Sequence, residues 1–132
     1  QGCLDEENND EVNRHKTFIE FENQVITASG NTSVNCGTVN IEESPLDTNT
    51  CVAASFVNGI PFRAIYRRQG NDSTLASAFS MAVNSSVFFW SYDSSVDGSP
   101  NGPSRIEKTE CLDAQLTGAL DNDSSQLFIC GQ

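Results

Sequence analysis

Four cysteines inside patterned sequence, at positions 36, 51, 111 and 130, constrain what this chain can become more than any other feature. No C-x-x-C pair is among them and the chain holds one histidine, His15, so zinc-ligand spacing is absent. The thiols read instead as two disulfides formed in an oxidising compartment. Four cysteines allow three connectivities. Cys36–Cys51 with Cys111–Cys130 is the expectation, because the shorter loops cost less closure entropy and each bridge flanks one element. The chain is 132 residues long, enough for one core that buries roughly 65–70% of the unfolded surface without a metal or cofactor. No cofactor is expected.

Charge narrows the partners. Seven Lys and Arg oppose eighteen Asp and Glu for a net charge of −11, a field that repels phosphate backbones, so nucleic acid is not an expected partner. Apolar runs are short, with Val87 to Trp90 among the longest, so no stretch spans a bilayer as a helix. His15 lies near the exposed start of the first predicted helix and reads as a solvated surface residue. Cys–His and Ser–Lys nucleophile pairs have little to draw on, since the lysines are Lys16 and Lys108. No Gly-rich phosphate loop opens a helix.

Hydrophobic periodicity places helices first and strands after. Asn8 with Glu11 has the spacing of a capping pair, and Val12, Phe18, Phe21, Val25 and Ala28 then recur near the helical period until Gly30, predicting one helix over about 9–28. Gly30 to Leu46 is polar and turn-rich and reads as a loop tethered by Cys36. Asp47 or Thr48 then caps a short second helix running through Cys51, Val52 and Phe56 to Asn58-Gly59. From Ile60 the period becomes two, with Ile60, Phe62, Ala64 and Tyr66 on one face and Arg63, Ile65 and Arg67 on the other. Gln69 to Ser73 has turn chemistry, a second strand carries Leu75, Phe79 and Met81, and Asn84-Ser85-Ser86 turns the chain into a third at Val87 to Tyr92. Asp93 to Ser104 reads as a loop, and Arg105 to Leu112 and Gln126 to Cys130 as the remaining strands. The expected class is α+β: two N-terminal helices packed on one face of an antiparallel meander of about four to five strands. That arrangement is loosely similar in shape to cystatin-type folds, whose sequence motifs are absent.

Gln1-Gly2-Cys3 is followed by the polar run Leu4 to Asp10. This start resembles the lipobox end of bacterial lipoproteins, in which a small residue precedes the lipid-modified cysteine and an acidic tether follows. The resemblance implies acyl chains on Cys3, a tether over residues 1–8, and a single domain over 9–132 held at the outer membrane or in the periplasm; Leu4 after the cysteine resembles the outer-membrane form of the signal. The bland alternative makes Gln1-Gly2 an expression scar and Cys3 a free thiol. A second compartment stands beside the first: Asn31, Asn71, Asn84 and Asn122 each begin an N-x-[ST] triplet, as in a secreted eukaryotic glycoprotein. Both place the chain outside the cytosol.

The candidate recognition residues lie on one sheet face. In the third strand Phe88, Trp90 and Tyr92 point one way and Val87 and Phe89 the other, so neither side of that strand is polar. Arg63 and Arg67 extend from the neighbouring hairpin. With Trp90 and Tyr92 they form a candidate site in which guanidinium groups grip a carboxylate while a sugar ring or apolar side chain stacks on the indole. The ordinary alternative is that the N-terminal helix or the C-terminal strands cover these aromatics. Asp93-Ser94-Ser95-Val96-Asp97-Gly98 resembles the first half of an EF-hand loop, making Asp93, Ser95 and Asp97 candidate calcium ligands, although the twelfth position is Ser104 where a bidentate Glu is needed. The expected function is a non-enzymatic cell-envelope or secreted binding domain with a protein or glycan partner. The alternatives are a small secreted hydrolase using paired carboxylates and a calcium-stabilised structural module.

Overall fold

The structure, a computed structural model, describes residues 17–70, 73–96, 103–121 and 124–131. Cys3 and the tether, the Asn8/Glu11 pair, His15, Asn71, Asn122 and Asp97 lie outside the described residues. Helix α1 (Phe18–Ser29) opens on a signal of its own: Thr17 Oγ1 accepts from the Glu20 N–H at 3.2 Å while Glu20 Oε1 accepts from the Thr17 N–H at 3.1 Å. This reciprocal capping box satisfies two donors that a helix start otherwise leaves open.

The segment read as a loop after α1 contains strand β1 (Val34–Val39). It lacks a clean alternation because its ladder shifts register between Asn35 and Thr38. Gly37 sits in that irregularity at φ 101°, and Asn35 Oδ1 accepts from the Gly37 N–H at 2.9 Å. A bulge made by an Asx turn and a left-handed glycine erases the two-residue period from which strands are read. Helix α2 (Leu46–Val57) follows without a side-chain cap of its own. Thr48, expected as a cap, is buried within the helix, and its hydroxyl donates to the Cys36 carbonyl of β1 at 3.1 Å.

Four strands complete the main sheet: β2 (Phe62–Gln69), β3 (Thr74–Met81), β4 (Val87–Asp93) and β5 (Arg105–Glu110), in the order β1-β2-β3-β4-β5. The three hairpin pairings are antiparallel, as the meander predicts, whereas β1 runs parallel to β2 through the α2 crossover. A short ribbon of β6 (Gln115–Leu116) and β7 (Phe128–Ile129) closes the described chain.

The α+β class holds, while two parts of the expected architecture need correction. The sheet is mixed, and the helices lie on opposite faces. The stripe Phe21 and Val25 of α1 packs on Ile65, Ala76, Ala78, Trp90 and Tyr92. Val52 of α2 packs on the other face with Phe62, Ala64, Tyr66, Phe79 and Met81, where Leu127 and Phe128 complete the layer. A sheet whose central strands are apolar on both sides needs a cover on each. The likeness to cystatin-type folds, which rested on both helices sharing one face, does not carry over. Cys36–Cys51 ties β1 to α2, and Cys111–Cys130 ties the end of β5 to the end of β7, with Cα separations of 5.5 and 4.9 Å.

Candidate binding cleft

Strand register brings the predicted residues onto one face. Arg63, Ile65 and Arg67 of β2 align through Ser80, Ala78 and Ala76 of β3 with Phe88, Trp90 and Tyr92 of β4. The face is nevertheless not the open aromatic platform envisaged for Trp90 and Tyr92, because α1 lies across it. Phe21 stacks on Tyr92 at 5.4 Å and meets Trp90 edge-on at 6.5 Å, while Phe18 meets Tyr92 edge-on at 6.2 Å. Trp90 and Tyr92 retain 4% and 3% of their surface. The Trp90 indole N–H donates to Ser80 Oγ at 2.9 Å, which satisfies the polar end of the ring.

The arginines also work within the fold. Arg63 Nη1 donates to Ser33 Oγ at 2.9 Å, tying β2 to the turn after α1. Arg67 lays its guanidinium 4.4 Å over the Phe18 ring, and its buried Nε has no hydrogen-bond partner. Around Tyr92, desolvation raises the phenol above its ordinary pKa; Glu20 and Asp93 raise it further and Arg67 opposes them.

On the opposite flank of α1 the cover stops short. A cleft of about 400 Å³ opens between α1 and β5, lined by Asn23, Gln24, Thr27, Ala28, Trp90 and Lys108. Asn23, Gln24 and Thr27 stand on the exposed side of α1. Their side chains make no hydrogen bond to another described residue. Lys108 pairs across the ladder with Trp90, and its Nζ lies 4.4 Å from the Phe88 centroid and 5.3 Å from that of Trp90. Among the described residues no carboxylate forms an ion pair with it. An exposed cation–π contact contributes only about 0.5–1 kcal/mol. The ammonium is therefore held weakly enough to turn toward an incoming anion. Sequence reading gave Lys108 no such place, because its position depends on the β4–β5 register. The signal in Asn23, Gln24 and Thr27 was their spacing opposite the Phe21/Val25 stripe.

The remaining candidates are engaged elsewhere. Asp93 Oδ1 accepts from the Ser95 N–H at 3.1 Å in a turn that closes β4, and Ser95 is buried. With Asp97 outside the described residues, no group of three or more His, Cys, Asp or Glu suited to a metal occurs among the described ones. The paired-carboxylate reading has a counterpart in a recess of about 340 Å³ on the α2 side, where Asp93 and Glu107 line the wall with Arg68 and Arg105. Glu107 there accepts from Ser91 Oγ at 3.5 Å and faces Arg105 Nε at 4.0 Å. A third recess, about 480 Å³ and largely apolar, lies between Phe89, Phe128 and the Cys111–Cys130 bridge.

Among the described residues the fold is an α+β domain with one helix on each face of a mixed five-stranded sheet and a recess beside α1. In comparisons with protein-family models, curated proteins and solved structures, nothing matches the chain.

Proposed function

We propose that this chain is a non-enzymatic binding domain working outside the cytosol, the soluble part of a lipoprotein tethered through Cys3, and that it takes its ligand in the α1–β5 cleft. The observation that carries the reading is Lys108. In a chain of net charge −11 its ammonium stands over two aromatic rings, without an acid partner among the described residues, beside three polar side chains that the fold does not use. Two disulfides support an oxidising compartment, and among the described residues no helix is long and apolar enough to cross a membrane.

Two measurements test the proposal. Intact-mass analysis of the native protein is expected to find acyl chains on Cys3; glycans on Asn31 or Asn84 with an unmodified Cys3 would place it instead among secreted glycoproteins. A ligand screen followed by amide and indole NMR shifts is expected to move the Trp90 indole and Lys108 amide signals together. Ligands that shift only the Asp93/Glu107 recess would overturn the assignment of the cleft.

A further inference from the structure

Resting on that binding-domain reading, we infer that the α1–β5 cleft is a subsite for an acidic sugar ring, a hydroxyl-rich unit carrying one carboxylate. Three features of the cleft converge on this chemistry. The charge is a single ammonium: Lys108 is one of two lysines in the chain, and Glu110, which follows it on the same sheet face, makes no ion pair with it. One ammonium balances one carboxylate, whereas a phosphate or sulfated polymer brings more negative charge into a field of net −11.

The second feature is the row Asn23, Gln24 and Thr27 along the cleft wall. The two amides each offer two donors and an acceptor and the hydroxyl offers one donor and accepts as well, a set that matches neighbouring ring hydroxyls and has no use for an apolar ligand. Residues 23 and 27 are one helical turn apart, so both stand on the same wall of the recess.

The third feature is the floor. Trp90, the aromatic ring that lines the recess, is held in place by its hydrogen bond to Ser80 and its edge contact with Phe21. It keeps 4% of its surface, so it gives the recess a rigid floor of fixed shape rather than an exposed stacking face, and little ordering is needed when a ligand seats. The recess, about 400 Å³, is shallow and open to solvent, so it covers one side of a small ligand rather than enclosing it. Trp90 supports this recess from beneath and is not the stacking platform that the sequence suggests.

The test compares glucuronic acid, N-acetylneuraminic acid and a neutral oligomer capped by one acidic ring with glucose and N-acetylglucosamine, using calorimetry and NMR shifts on the full chain and on the variants Lys108→Gln and Asn23→Ala/Thr27→Ala. Acidic sugars are expected to bind and shift the Trp90 indole and the 23–27 amides, with affinity falling as salt rises. Lys108→Gln is expected to weaken them about tenfold or more, to the level of the neutral rings, by removing the charge-assisted contact. Asn23→Ala/Thr27→Ala is expected to weaken acidic and neutral rings alike, and both variants change exposed positions, so unaltered melting curves check their folding. A stronger response to the oligomer than to the monomers identifies a glycan chain as the source, and equal responses a free sugar. Equal binding of acidic and neutral rings, or no effect of Lys108→Gln, overturns the inference while leaving a cleft that binds other ligands. No cleft shift with any ligand class overturns the binding-domain reading as well.

Discussion

Tyr66 shows how single polar groups set the packing of the α2 face. Its phenol donates to Asn49 Oδ1 at 2.6 Å, and Asn49 Nδ2 donates to the Leu120 carbonyl at 2.7 Å, so one relay joins β2, α2 and the C-terminal segment. Asn49 is fully buried, which makes each bond in the relay obligatory. Tyr66→Phe removes one bond of this buried relay and is expected to cost about 1–3 kcal/mol in urea unfolding. Burial also pushes the Tyr66 phenol above its ordinary range, and Tyr92 shifts the same way. With both folded values raised, the folded chain holds protons that the unfolded chain releases above about pH 10. Stability is expected to be level below that pH and to fall above it, and Tyr66→Phe should flatten the fall. A wild-type curve that stays level to pH 11.5 would contradict the burial of these phenols.

Among the elements, α1 decides what the sheet can present. Its stripe of Phe21 and Val25 is fully buried against Trp90 and Tyr92, so the same helix that completes the core closes the aromatic face. Phe21→Ala is expected to destabilise by about 3–5 kcal/mol and to loosen α1 from the sheet. Trp90 is the one tryptophan of the chain, so a red shift of its emission reports the exposure directly. If Phe21→Ala unfolds the chain altogether, Val25→Ala is the gentler probe, with the same red shift expected in smaller degree. The strands β2 and β3 were legible in the sequence from a two-residue period, and β4 from an apolar run bounded by turn residues. Strand β1 was not, because a bulge at Gly37 and an Asx turn at Asn35 interrupt the period within six residues. The helix expected over 9–28 begins at Phe18 behind the Thr17/Glu20 box, a capping pair that the sequence reading did not single out, while the Asn8/Glu11 pair lies outside the described residues.

For the molecule as a whole, the bridges join parts that the hydrogen-bonded sheet does not. Cys111–Cys130 fastens the β6/β7 ribbon, and with it Phe128, which meets Phe79 edge-on at 5.0 Å and Phe56 at 5.1 Å. Replacing either cysteine pair by alanine closes off a loop constraint of 15 or 19 residues and is expected to cost about 3 kcal/mol, or roughly 10 °C in Tm. The paired variants measured by calorimetry in oxidising buffer, against wild type with and without reductant, check both values. Loss of less than about 1 kcal/mol for both would show that the chain does not depend on an oxidising compartment for its stability.

The amino-acid sequence alone determined the α+β class and the periods of β2 and β3, and short loop lengths favoured the observed cysteine pairing among three connectivities. Each follows from local spacing, which survives whatever the rest of the chain does. Only the tertiary structure decided that the helices take opposite faces, that α1 covers the predicted platform, and that Lys108 stands across from Trp90 beside Asn23, Gln24 and Thr27. Those outcomes depend on which apolar stripe finds which sheet face and on the register of β5, and both are settled by burial between residues far apart in the chain.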